Sequence, residues 1–136
     1  MSALPNIGEM PVTGDEWLAR YLFDKGQVRA DGTVRPEAFI PYRHVELSVT
    51  RHLGLEEAEI WAAGEGVGAE RNAVLQGRAD VQAEVPVKCG LHVLNKPLPG
   101  NANHADIAGW PADKPSQKEL ALRIAEKAAY KVKPAG

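Results

Sequence analysis

His104 and Asp106 are the pair whose residue types and spacing best suit acid–base chemistry. A histidine titrates near neutral pH, and a carboxylate that hydrogen-bonds its ring fixes the tautomer and stabilises the cation. If residues 104–108 are extended, the two side chains share one face of the chain. We therefore nominate His104 as an acid or base and Asp106 as the group that orients it. The alternative is that His104 only satisfies loop backbone.

Both residues belong to a polar, proline-punctuated run over residues 96–115, which we predict to be a long loop. Asn101 and Asn103 in this run are candidates for binding a ligand or partner, and Trp110 is a candidate for stacking on a ring. The alternative is that the asparagines cap turns and that Trp110 packs as a lid on the core.

The cations are unevenly divided along the chain: up to residue 80 they are seven arginines and one lysine. Arginine suits carboxylate and phosphate recognition, because its guanidinium donates hydrogen bonds in a planar fork. Arg43 and Arg51 flank a predicted strand, and Arg71 follows it in the chain. With His44 they are candidates for an anion-binding pocket beside His104. Surface solvation with weak salt bridges is the alternative.

Three other kinds of site have weaker support. Cys89 and His92 have the spacing of zinc ligands, and His104 and Asp106 would bring the number of ligands to four. Successive residues of a strand point to opposite faces, however, and this places Cys89 and His92 on opposite sides of the predicted strand. Ser48 and His44 share a strand face about 13 Å apart, too far for a nucleophile and its base.

The glycine-rich stretch over residues 64–72 superficially resembles a phosphate cradle. Its glycines are spaced two apart and follow a predicted helix, whereas the dinucleotide fingerprint follows a strand and opens a helix. We predict a flexible turn there, with Arg71 as the side chain best suited to an anion. The sequence accordingly predicts no metal and no cofactor.

The composition limits the classes of protein. The chain has 136 residues, 44% of them hydrophobic and 25% charged, with a formal net charge of −2. These values suit one soluble domain and argue against bulk attraction to nucleic acid or membranes. The single cysteine and the absence of a signal-like N-terminus predict a cytoplasmic location, in a bacterium-like cell.

The elements that must position these residues follow from hydrophobic periodicity and capping signals. We predict helices over residues 14–23 and 55–63, the latter ending at Gly64. A small hairpin is predicted over 28–34, and strands are predicted over 43–51, 79–85 and 87–94. A helix of about four turns follows a capping box at 115–119 and holds the C-terminal lysines in its last turn.

This order of elements predicts a single α+β domain over residues 1–136, with residues 1–12 as a loose N-terminal arm. We expect a small antiparallel sheet of about five strands with helices on one face and a well-defined C-terminal helix. The leading functional hypothesis is a non-catalytic interaction module that uses loop 96–115 to bind a protein partner. The alternative is a small metal-independent enzyme acting on a phosphate-containing or other anionic substrate.

Overall fold

The computed structural model describes residues 10–135 and contains one six-stranded antiparallel sheet with three α-helices. The strands are β1 (Trp17–Leu22), β2 (Glu46–Arg51), β3 (Gly77–Gln82), β4 (His92–Asn95), β5 (His104–Ala108) and β6 (Ala129–Val132). The helices are α1 (Glu57–Arg71), α2 (Glu84–Lys88) and α3 (Lys114–Glu126). Across the sheet the strand order is β4-β5-β2-β1-β3-β6. The predicted α+β class, its antiparallel sheet and its C-terminal helix are confirmed.

The two faces of the sheet carry different helices, whereas the sequence predicted helices on one face only. On one face, α3 and the 3-10 turn Pro36–Phe39 pack over an apolar core that includes Leu18, Ile107 and Ile124. On the other face, α1 contributes Ile60 to a smaller cluster with Tyr21. We call these the α3 face and the α1 face. The opposite orientation of successive strand residues divides each strand between them.

The helix predicted over residues 14–23 is wrong, because residues 17–22 form the central strand β1. Leu18 and Leu22 face the α3 core, whereas Ala19 and Tyr21 lie beneath α1. A strand buried on both faces presents a nearly continuous apolar run and lacks the alternation expected of a half-buried strand. Tertiary burial therefore overrides the apparent helical spacing.

The predicted flexible turn at residues 64–72 is also wrong, since α1 continues through Gly64 to Arg71. A Cβ at Gly64 would lie 2.6 Å from Cε1 of Tyr21. The glycine thus allows the helix to approach β1 closely. It is a packing residue here, not a helix stop.

Three further predictions need correction. The segment 87–94 holds the end of α2 and only then β4, and the first turn of a helix tolerates Pro86. Loop 96–115 contains β5. The C-terminal tail forms β6 beside β3, so its lysines lie beyond α3.

Two further predictions are confirmed, and a third lies partly outside the described residues. β2 confirms the strand at 43–51, and a Val28–Val34 bridge confirms the small hairpin. Of the predicted N-terminal arm, residues 1–9 lie outside the described residues.

Candidate functional site

A groove of about 810 Å³ opens on the sheet where β1 and β2 separate. These strands share two residue pairs, Leu18↔Arg51 and Ala19↔Thr50, whereas β1 and β3 share six. Beyond the second pair the side chain of Arg20 enters the gap. Its Nη1 donates to the Ser48 carbonyl over 2.9 Å, and its Nε donates to the Ala38 carbonyl over 3.0 Å. An arginine side chain thus occupies the place where the ladder would continue.

One wall of the groove is cationic. It is lined by Arg20, Arg43, His44 and Arg71. Burial, together with the charge of Arg71, lowers the pKa of Arg20 to about 10. Arg71 ends α1 and places its guanidinium carbon 5.2 Å from the centre of the Phe23 ring. Two guanidinium groups that repel each other at one groove are well suited to bind an anion between them.

The opposite corner of the groove carries two interacting carboxyl groups, Glu46 and Asp106. Lys96 Nζ lies 2.9 Å from Glu46 Oε2 and 3.5 Å from Asp106 Oδ2. Burial, and then a hydrogen bond with Glu46, raises the pKa of Asp106. Hydrogen bonds with Lys96 and then with Asp106 lower the pKa of Glu46. The two carboxyl groups therefore titrate as an interacting pair, with the pKa of Asp106 raised and the pKa of Glu46 lowered.

His104 lies behind this corner, opposite Thr50 in the register of β2 and β5. Its Nδ1 is 2.8 Å from the Lys96 carbonyl oxygen. Because a carbonyl only accepts, Nδ1 carries a proton and donates it. The other ring nitrogen, Nε2, lies 3.6 Å from Asp106 Oδ1. Both ring nitrogens of His104 thus face protein groups.

His104 and the arginines still approach a common space. A small cavity of about 30 Å³ joins the groove, and Arg20, Ser48 and Arg71 line both. His104 and Asn101 line the small cavity. The sequence-predicted residues Arg43, His44, Arg71, Asn101, His104 and Asp106 are therefore gathered around two adjoining spaces.

Three other predicted residues have structural contacts and do not line the groove. Asn103 is buried and donates to the carbonyls of Arg51 and Leu53. Trp110 is 5% exposed and donates through Nε1 to the Ile107 carbonyl. Arg51 is fully buried, where it pairs with Glu16. Asn101 both lines the small cavity and makes a structural contact, since its Nδ2 donates to Thr50 Oγ1 over 3.0 Å.

Sequence reasoning missed four residues of the site: Arg20, Glu46, Ser48 and Lys96. Alternation along β2 already placed Glu46 and Ser48 on the polar side of that strand, so the signal for them was present. Arg20 was hidden by the wrong helix prediction, and Lys96 by the long-loop prediction.

The predicted zinc alternative is not assembled in the described part of the chain. Between residues 10 and 135 no group of three or more His, Cys, Asp or Glu side chains is placed to hold a metal ion. In the same residues no helix has the length and apolarity needed to span a bilayer.

Comparison with protein-family models, curated proteins and solved structures returned no match. The interpretation of the groove therefore rests on its own geometry.

Proposed function

We propose that this protein is a small enzyme that binds a phosphate-bearing or other anionic substrate in the groove between β1 and β2 and transfers a proton to it without a metal. The observation that carries the proposal is that one groove is lined by both Arg20 with Arg71 and the carboxyl group of Asp106. An enzyme of this class needs an anion-binding group and a proton donor within reach of the same substrate.

The arginines supply the binding step. Nη1 and Nε of Arg20 are held by backbone carbonyls, which fixes the position of its guanidinium. Arg71 is exposed at the end of α1, on the open side of the same groove. A substrate phosphate would accept hydrogen bonds from both, and its negative charge would relieve their mutual repulsion.

Asp106 supplies the proton in this proposal, and His104 positions it. The roles differ from those nominated from sequence, because Asp106 lines the large groove whereas His104 lines the small adjoining cavity. When Asp106 gives its proton to the substrate, the Lys96 ammonium group, 3.5 Å from Asp106 Oδ2, stabilises the carboxylate that remains. A cytoplasmic location remains the expectation that accompanies this function.

Calorimetry with inorganic phosphate tests the binding step. Arg71→Gln is expected to weaken phosphate binding about tenfold, the loss of one charge-assisted hydrogen bond. Arg123→Gln is a matched control, since Arg123 is the exposed arginine in the last turn of α3 and does not line the groove. Equal phosphate affinity in the two variants would contradict the binding proposal.

Phosphorus NMR on a pool of phosphate monoesters tests the proton transfer, because Asp106 would protonate the ester oxygen as its bond to phosphorus breaks and water attacks the phosphorus, releasing an alcohol and inorganic phosphate. Asp106→Asn should retain phosphate binding within a few-fold, because the arginines remain, but lose turnover by about a hundredfold or more. Turnover at the wild-type rate in this variant would remove Asp106 from the mechanism.

A non-catalytic interaction module is the second candidate. Leu94 and Leu98 support it, being 43% and 49% exposed on the edge strand β4 and the loop that follows it. Burial of Trp110 removes the aromatic contact that this hypothesis expected. A protein partner whose binding is lost in Leu98→Asp, while phosphate has no effect on the chain, would favour the module.

A further inference from the structure

A second cavity, of about 270 Å³, lies at the other end of α1 from the groove. Its lining includes six side chains that matter here: Trp17, His52, Glu57, Arg78, Asp80 and Lys131. None of them lines the groove or the small cavity beside it. This second cavity is therefore a separate place to look for a ligand.

Arg78 is the unusual group in the second cavity, because it is a buried arginine with one nitrogen left over. Its side chain is 2% exposed. Nε donates to Asp80 Oδ1 over 3.0 Å, and Nη2 lies 2.8 Å from Glu57 Oε1. Nη1 is buried and has no acceptor among residues 10–135. Since buried polar groups are normally hydrogen-bonded, Nη1 is an unsatisfied donor, and a ligand oxygen reaches it when the exposed Glu57 side chain moves aside.

Lys131 adds a second cation. It stands directly opposite Arg78 in the register of β3 and β6, and its ammonium group has no carboxylate partner in the described part of the chain. Like charges at directly opposite positions destabilise a sheet. Because Asp80 and Glu57 already offset the charge of Arg78, the Lys131 ammonium group is the cation of this lining that a negatively charged ligand would pair with.

The carboxylates of Asp80 and Glu57 do not prevent an anion from binding in the second cavity. Asp80 is already held by Arg78, whose Nε lies 3.0 Å from Asp80 Oδ1, so its charge is compensated. Glu57 is 64% exposed at the start of α1. An ion pair with so exposed a carboxylate contributes little, and a ligand carboxylate can replace Glu57 on Arg78. The ligand would then accept from both Nη1 and Nη2 in the forked geometry that arginine favours.

Trp17 adds an apolar wall to the cavity. Its side chain is 41% exposed although it begins a central strand. An indole ring stacks favourably on flat apolar groups. We propose that the second cavity binds a small carboxylate with a flat apolar body, its carboxylate on Arg78 and Lys131, its ring on Trp17, and Glu57 as the competing internal ligand.

Nitrogen-15 NMR with sodium benzoate tests the proposal, with the indole N–H of Trp17 as the reporter. We expect benzoate to shift this signal. Lys131→Gln should weaken benzoate binding about tenfold, the effect of losing one charged hydrogen bond, and Glu57→Gln should strengthen it several-fold. Glu37→Gln, the same charge change on the α3 face, is the control and should leave benzoate binding unchanged.

The site is separable from the groove, because Arg71→Gln should leave benzoate binding intact. Absence of a benzoate shift at Trp17, or equal benzoate affinity in Lys131→Gln and the wild type, would overturn the proposal. If acetate, which has no ring, binds as tightly as benzoate, the claim that the ligand has a flat apolar body is wrong. If inorganic phosphate binds in the second cavity as tightly as benzoate, the claim that the ligand is a carboxylate is wrong.

Discussion

The α3 face and the α1 face of one sheet have been put to different uses. The α3 face is closed by apolar side chains such as Leu47, Val49, Ala105 and Ile107. Their neighbours in the chain, among them Ser48 and Asp106, point to the α1 face and line the groove. The α1 face is covered over β1 and open on either side. Because α1 covers its face of the sheet only in part, β2 and β5 contribute side chains both to the core on the α3 face and to the groove.

Arginines make the same contrast at the level of one residue type. Arg51 is fully buried, with Nη1 donating to the Met10 carbonyl over 2.7 Å and Nη2 paired with Glu16. Arg71 is exposed at the groove, where its guanidinium group contacts the ring of Phe23. Arg51 thus holds the chain before β1 against β2, whereas Arg71 is free to meet a ligand.

The largest predicted effect tests this contrast between arginines. Arg51→Gln leaves the Glu16 carboxylate buried without its partner and should cost about 3–5 kcal/mol of unfolding free energy. Arg71→Gln should change the unfolding free energy by less than about 0.5 kcal/mol. Urea unfolding of both variants measures the difference. Similar losses in the two would mean that Arg71 has a structural role as well.

An intermediate effect is predicted where α1 approaches the sheet. Gly64→Ala would place a methyl group 2.6 Å from Cε1 of Tyr21, and the shift needed to relieve this contact should cost about 1–3 kcal/mol. Gly66→Ala is the matched control, because a Cβ there meets nothing within 4 Å. That variant should be neutral or stabilising, since alanine favours helix. Thermal unfolding of the pair measures the effect, and equal stabilities would show that α1 is not tightly packed on β1.

The smallest predicted effect is a change in pH dependence. The raised pKa of Asp106 means that the folded state keeps a proton that the unfolded chain has released, so this group's contribution to stability is present at low pH and is lost as pH rises through the folded pKa. Asp106→Asn should remove that decline. Its unfolding free energy relative to wild type should therefore increase between about pH 4 and about pH 7.

Glu46→Gln provides the opposite case. The lowered pKa of Glu46 contributes stability above its ordinary pKa, and this contribution is lost as pH falls through the folded value. The variant should therefore lose stability relative to wild type as pH rises. Urea unfolding at both pH values distinguishes the two signs, and parallel pH profiles for the two variants would show that the carboxyl groups do not interact as described.

Local patterns predicted much of the fold but not its centre. Alternation at Leu47 and Val49 identified β2, and the apolar spacing after residue 119 identified α3, because both depend on neighbours in the chain. The capping box predicted at 115–119 is wrong, since the N-cap of α3 is Asp113, whose side chain accepts from the Ser116 N–H. β1 was missed because burial on two faces removes alternation. β5 was missed because a five-residue strand with His104 and Asp106 on one face has the composition of a loop.

The candidate site, like the fold, was predicted only where its geometry is local to one strand. His104 and Asp106 were predicted to share a face if extended, and β5 confirms this geometry. Their convergence with Arg20 depends on the separation of β1 and β2, a tertiary feature with no local signature. The buried pairing of Arg51 with Glu16 likewise depends on two segments distant in sequence.

The most direct test of the central claim is to map inorganic phosphate onto the backbone by nitrogen-15 NMR. We expect shifts concentrated at Arg20, Ser48 and Arg71 around the groove, with the helix α3 unaffected. Shifts centred on α3, or no shifts at the groove when phosphate is saturating, would contradict the assignment of the groove as the functional site.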